Sequence, residues 1–289
     1  MLDCIIVGNG LAGVSAALTL KANGKSFLLF GARTMSQKVL KAEKINNYPG
    51  LANISGEEFG RRIEEQLSAE EIVVVPEKVT GVYALKGKFL VTAEPDKTYE
   101  CRTVILVTGV ETVKPIEGEE EFLGRGVSYC ATCDGMLYKD KTIAVMCTTK
   151  TLEHEIEYLA SLAKKVYLIP LYKGETVNAE NVEKIIKKPL RVEGEMKVNA
   201  LVFLEGGDEK RVLVDGVFFL KECVSPSALC GGLSVANGHV LIERDCSTNL
   251  KGLFAAGDCT GRPYQYAKAA GEGNVAAHSV VEYLAKTES

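Results

Sequence analysis

Leu2 to Val7 is a largely apolar run stopped by a glycine, which predicts a buried first strand. From Val14 to Ala22 the apolar positions take a helical spacing, and Gly24 closes that helix. Ser26 to Phe30 is again extended and apolar, so the N-terminal segment predicts one βαβ unit. Further strands are expected around Val73 to Val75, Val79 to Leu85, Lys88 to Ala93 and Thr103 to Val107, with Thr108-Gly109 ending the last. A second βαβ plan opens near Lys141, with a strand at Ile143 to Met146, a helix from about Leu152 to Ala163 and a strand at Val166 to Ile169. After Gly206-Gly207 and a strand at Val212 to Val214, the apolar segment Gly252 to Asp258 predicts a strand and turn returning to the first domain. A closing helix follows from about Lys268 to Leu284. The middle of the chain is therefore expected to be an insertion.

Composition narrows the class. A length of 289 residues favours two domains over one, and 46% hydrophobic with 25% charged residues is typical of globular proteins. With 34 basic and 38 acidic residues the formal charge is −4, too small to suggest a nucleic-acid or membrane partner. Met1 to Val7 has no basic stretch of a targeting signal, and no apolar run reaches membrane-spanning length. Nine cysteines, an odd number scattered along the chain, do not form a secreted disulfide framework and point to the reducing cytoplasm.

Gly8-Asn9-Gly10-Leu11-Ala12-Gly13 fits the spacing G-x-G-x-x-G between a strand and a helix. Glycines there permit a tight turn and a close backbone approach, while the helix start offers N–H groups to a pyrophosphate. The bland alternative is a structural turn. The acidic residue that follows the second strand in NAD-binding folds is absent, since Phe30 is followed by Gly31, Ala32 and Arg33. Gly257-Asp258 adds an aspartate after an apolar strand, placed to accept hydrogen bonds from flavin ribityl hydroxyls or, blandly, to cap a helix. Two such elements at opposite ends of the chain point to FAD.

Cys130-Ala131-Thr132-Cys133-Asp134 contains the single CxxC of the sequence. That spacing at a helix start puts two sulfurs within disulfide reach and favours a thiolate, and Asp134 is placed to move protons. A zinc site would need two further ligands, for which only His154, His239 and His278 and unpaired cysteines remain. A purely structural pair is the other alternative.

These residues resemble the low-molecular-weight thioredoxin reductase family over nearly the whole chain: Gly8 to Gly13, Gly31 to Gln37, Asn46-Asn47-Tyr48-Pro49-Gly50, Thr108-Gly109, Cys130 to Asp134, and Gly257-Asp258 with Gln265 to Ala267. The resemblance implies an α/β protein of two Rossmann-like domains of three-layer ββα type. The FAD domain would be discontinuous, residues 1–112 and 222–289, and the inserted residues 113–221 would form a degenerate NADPH-type domain carrying the CxxC. It further implies that Cys133 faces the flavin, that Cys130 attacks the partner disulfide and that Asp134 is the acid and base. FAD would be held by Gly8, Gly10, Leu11, Ala12, Gly13, Gly31, Gln37, Asn47, Val79, Thr108, Gly109, Gly257, Asp258, Gln265, Tyr266 and Ala267. A homodimer is implied by the family alone.

The departures from that family carry as much information. Where NADPH-using relatives have glycines and then a histidine and arginine cluster, this chain has Cys147-Thr148-Thr149-Lys150 and Pro170-Leu171-Tyr172, and Tyr264 replaces the arginine before Gln265. Side chains at the turn obstruct a pyrophosphate, and a 2′-phosphate lacks bidentate partners. The pattern resembles the ferredoxin-dependent flavin thioredoxin reductases, with ferredoxin as electron donor and thioredoxin as acceptor. The inserted domain would rotate about hinges near 112 and 221, and Lys38, Lys41 and Lys44, Arg61-Arg62 or Lys164-Lys165 would meet an acidic ferredoxin. Alternatives are an FAD-dependent dithiol oxidase using oxygen, an NADPH-dependent thioredoxin reductase with an unusual site, and a flavin-bound redox sensor.

Overall fold

The computed structural model describes the chain except residues 34, 36, 41, 95, 111–114, 175, 222–225 and 289, and except the side chains of residues 37, 38, 133 and 288. It forms two compact units, Met1–Val110 with Ser225–Ser289, and Glu111–Val224.

In the first unit β1 (Leu2–Val7) ends in buried residues from Cys4 to Val7, as a strand covered on both faces requires. α1 (Leu11–Ala22) crosses to β2 (Phe27–Phe30), which lies parallel to β1. A short α2 (Gln37–Leu40) precedes α3 (Gly56–Ala69), which the sequence reading did not anticipate. α3 is set by local chemistry: Ser55 Oγ accepts from the Glu58 N–H at 3.1 Å, Glu57 and Glu58 complement the helix start, and Phe59, Ile63 and Leu67 bury one stripe. β3 (Val74–Val75), β4 (Val79–Leu85), β5 (Lys88–Ala93) and β6 (Lys97–Leu106) complete the N-terminal share of the sheet, in the order β3-β2-β1-β6-β5-β4. β6 is longer than the Thr103 to Val107 expected, because its first half pairs antiparallel with β5 while its second half runs parallel to β1.

The second unit is built on a parallel sheet. β7 (Val127–Ser128) runs into α4 (Ala131–Asp134); β8 (Thr142–Cys147), α5 (Glu153–Leu162) and β9 (Lys165–Pro170) form the second βαβ. β10 (Val182–Lys184) follows, then the antiparallel β11 (Pro189–Gly194), β12 (Val198–Glu205) and β13 (Asp208–Leu213), and finally β14 (Gly216–Leu220). The sheet order is β10-β9-β8-β14-β7, with β14, entirely buried, between β8 and β7. Ile143, Val145, Ile156, Leu159, Phe218 and Leu220 make its core against α5.

The chain then returns to the first unit through α6 (Pro226–Leu229) and the small hairpin β15 (Val235–Ala236) and β16 (His239–Val240). β17 (Leu253–Ala255) pairs parallel with Val104 to Leu106 of β6, and α7 (Tyr266–Glu288) packs on α1. The approach of those helices is close: a Cβ on Gly273 would lie 2.1 Å from the Ala12 carbonyl oxygen. Among the described residues no helix is long and apolar enough to cross a membrane.

A buried ion pair interrupts the second unit's interior. Lys221, at the end of β14, is 2% exposed and forms an ion pair with Glu119, which is wholly buried. The same carboxylate accepts from Tyr129 Oη at 2.9 Å and from the Ile116 N–H at 3.0 Å, and the ammonium sits 5.4 Å from the Tyr129 ring centre. Lys221→Met leaves the carboxylate without its cation and is expected to cost about 3–5 kcal/mol in urea unfolding. Lys221→Met with Glu119→Gln should recover more than half of that loss. A single variant costing under ~1 kcal/mol would show that the charge is neutralised some other way.

Candidate active site

The first unit offers a place for a phosphate-bearing group. Gly10 caps α1 with extended backbone, no side chain caps the helix and no acidic residue stands in its first turn, so the N–H ends around Leu11 and Ala12 keep their positive character. Gly13 lets the turn close, since a Cβ there would lie 2.0 Å from the Gly8 oxygen, while a Cβ on Gly10 would meet nothing within 4 Å. Gly31 follows β2, beside the Asn9 side chain, whose Nδ2 donates to the Ala32 oxygen at 2.7 Å. Thr108, beyond the end of β6 and followed by Gly109, has a buried Oγ1 without a hydrogen-bond partner. An uncapped helix start, open space at Gly10 and an orphaned buried hydroxyl all fit a bound dinucleotide such as FAD.

The C-terminal elements meet the same unit. Asn47 Nδ2 donates to Gln265 Oε1 at 2.7 Å, joining two of the expected flavin contacts across a long stretch of sequence. Gly257 and Asp258 lie in one turn of 3-10 helix, Gly257–Thr260, rather than at the head of an α-helix, and Tyr266 and Ala267 begin α7. That turn is held by two residues the sequence reading missed. Glu272 Oε2 accepts from the Gly257 N–H and from Thr260 Oγ1, both at 2.8 Å, and Lys268 Nζ donates to the Gly257 oxygen at 2.6 Å. Their i, i+4 spacing was the available signal. Val79 opens β4 and is buried, and the side chain of Gln37 lies outside the described residues.

In the second unit Cys130 stands between β7 and α4, 9% exposed and disulfide-bonded. Ser128 Oγ fixes its backbone, accepting from the Cys130 N–H and donating to the Cys130 oxygen, each at 3.1 Å. Thr132 Oγ1 is 3.6 Å from Cys130 Sγ. The Asp134 N–H donates to the Cys130 oxygen at 3.3 Å, and the Asp134 side chain is half-buried. The side chain of Cys133 lies outside the described residues. The dithiol stands at a helix start, as expected, but the helix is a single turn followed by 3-10 helix over Gly135–Tyr138, so its dipole is weak. Other thiols are poor nucleophiles: Cys4, Cys101, Cys147, Cys230, Cys246 and Cys259 are buried, and desolvation pushes Cys101, Cys246 and Cys259 up to about 12.

The second βαβ turn differs from the first in chemistry. Thr148 Oγ1 donates to the Leu220 oxygen at 3.2 Å and Cys147 Sγ to the Thr149 oxygen at 3.2 Å, so the turn is occupied by its own side chains. Glu153 and Glu155 stand in the first turn of α5, and Tyr172 Oη donates to Glu153 Oε1 at 3.0 Å. Desolvation, reinforced by that hydrogen bond, raises the Tyr172 pKa and keeps the phenol a donor. With Glu153 half-buried and Glu155 buried behind it, this helix start lacks the positive character of α1. Elsewhere, Arg61 and Arg62 are paired with Glu58, and Lys165 with Glu183, so these three cations have carboxylate partners; the side chain of Lys38, and Lys41, lie outside the described residues.

Comparison with known proteins gives one family. Residues 2–273 match the pyridine nucleotide-disulphide oxidoreductase model. A thioredoxin reductase of Helicobacter pylori is 33% identical over 311 residues, spanning 98% of this chain and 99% of that protein. A glucosaminate ammonia-lyase of Pseudomonas fluorescens is 33% identical over 308 residues, spanning 97% of this chain and 95% of that protein. Among solved structures, a ferredoxin-flavin thioredoxin reductase from Clostridium acetobutylicum superimposes with a TM-score of 0.91 at 43% identity, covering 99% of this chain and 98% of that one. With a dinucleotide turn in one unit and a redox-active-type cysteine motif in the other, this chain belongs to the pyridine nucleotide-disulphide oxidoreductase family as a thioredoxin reductase-type flavoprotein.

Proposed function

We propose that this protein reduces the disulfide of a thioredoxin with electrons taken from reduced ferredoxin, using FAD and the Cys130–Cys133 pair and no NADPH. Relatives of equal identity carry different activity names, so the reading rests on the site rather than on the family. The observation that carries it is the second βαβ turn, plugged by Thr148 and Thr149 and followed by Glu153 and the buried Glu155 in the first turn of α5. The name of the Clostridium acetobutylicum structure, ferredoxin-flavin thioredoxin reductase, supports the same donor.

When bound, FAD supplies the step between a one-electron donor and a two-electron disulfide. The chain's own residues do the rest. Gly8 to Gly13 and the start of α1 bind the pyrophosphate, and Asn47, Gln265 and the Gly257-Asp258 turn orient the remainder. In the reduced pair, the Cys130 thiolate attacks one sulfur of the thioredoxin disulfide, forming a mixed disulfide and releasing the other sulfur, which takes a proton. Cys133 then displaces the second thioredoxin sulfur and restores the Cys130–Cys133 bond, with Asp134 moving the protons.

Two experiments test this reading. Under anaerobic titration, reduced ferredoxin should bleach the flavin and support thioredoxin reduction, while NADPH leaves it oxidised; bleaching by stoichiometric NADPH would refute the absence of a nucleotide seat. Oxygen uptake with a small dithiol, exceeding ferredoxin-driven turnover, would instead establish a dithiol oxidase. Gly10→Ala adds a Cβ in space the protein leaves open, so it should change apoprotein stability by less than about 1 kcal/mol. It should nevertheless weaken FAD binding about tenfold or more, ~1.4 kcal/mol, read from flavin retained after dialysis. Full flavin retention would remove Gly10 from the binding turn.

A further inference from the structure

We propose that the Thr132 hydroxyl selects Cys130 as the attacking sulfur by donating a hydrogen bond to Cys130 Sγ, making Thr132 a catalytic residue that holds the thiolate. The inference deepens the reading above and rests on it, because it assigns a role at the same dithiol.

The direction of this hydrogen bond follows from the oxidation state. A sulfur in a disulfide carries no proton, so of the two atoms 3.6 Å apart only the Thr132 hydroxyl can donate. The distance suits sulfur, whose lone pairs lie farther out than those of oxygen. Reduction of the disulfide by two electrons breaks the S–S bond and leaves negative charge on the sulfurs unless protons arrive. The same hydroxyl then donates to an anion, and a hydrogen bond to a charged partner is roughly twice as strong as a neutral one. Stabilising the charged form favours thiolate over thiol.

The surroundings make this donor important. The one-turn α4 supplies little helix dipole, although the sequence alone had suggested that source of acidity. Ser128, 3% exposed, engages both the N–H and the C=O of Cys130, so the backbone that carries Sγ is held in place beside Thr132. Thr132 is part of the same turn and half-exposed, close enough to remain with Cys130 when a partner approaches. Burial alone, which pushes Cys101, Cys246 and Cys259 up to about 12, would leave a thiol protonated and slow. A local donor offsets that penalty at Cys130.

The test follows the Cys130 thiol directly. In a Cys133→Ser background, which leaves one sulfur of the pair, iodoacetamide alkylation of the Cys130 peptide is measured by mass spectrometry as a function of pH. Thr132→Val keeps the shape and removes the donor, and Thr132→Ser keeps the donor; thermal midpoints check that both variants fold. The valine variant should shift the alkylation midpoint to higher pH and lower the rate at neutral pH about tenfold, while serine follows the parent. Equal curves for valine and parent overturn the proposal, and so does a serine variant that falls as far as valine, since the methyl would then be the acting group. If the chemically reduced wild type fails to reduce thioredoxin while the valine shift is present, the proposed function falls and the role of Thr132 stands.

Discussion

The parallel pairing of Leu253–Ala255 with Val104–Leu106 is the contact on which the first unit depends. Besides its pairing with β1, β6 serves two further partners, the meander β4–β5 through its first half and the returning C-terminal strand beside its second. Without that return, β6 would keep an open edge of unpaired N–H and C=O groups beside the end of the strand where Thr108 and Gly109 lie. α7 follows from the same closure, since it seals α1 by way of Ala12 and Gly273. A contact this distant in sequence carries a large ordering cost, but the cost of closing a loop grows only slowly with its length, so a whole folded unit can occupy the interval.

The two βαβ units differ in the charge at their helix starts. α1 begins without acidic residues and without a side-chain cap, whereas α5 begins with Glu153 and Glu155 behind a turn that bonds its own hydroxyls and sulfur. The two crossovers share a topology and differ in what they present to a phosphate. Fold alone therefore says little about the electron donor, and the difference lies in a few side chains at equivalent places.

The strands and helices with strong apolar patterns were legible in the sequence: β1, β4 and β5 have the residues expected of them, and the second βαβ has the expected order. α3 was not, because Phe59, Ile63 and Leu67 form a thin stripe among charged residues, although Ile54-Ser55 with Glu58 and Phe59 carried a local helix-start signal. The hairpin of β11 and β12 was also missed, since Arg191 and Glu193 interrupt the apolar alternation; on the folded sheet they find Glu209 and Arg211 on the strand beyond. At the site, the glycine turn and the dithiol were readable because their spacing is local. The Lys268 and Glu272 bonds to the Gly257 turn and the meeting of Asn47 with Gln265 were less so, because only the folded chain brings them together. Glu119 and Lys221 left no pattern beyond a lysine closing an otherwise apolar strand.

That buried pair ties together the two ends of the inserted segment, Glu119 soon after it begins and Lys221 just before it ends. The second unit thus fastens its own two flanks to each other, near Glu119 and near Lys221, so that a charged clasp closes it on itself as well as its apolar core.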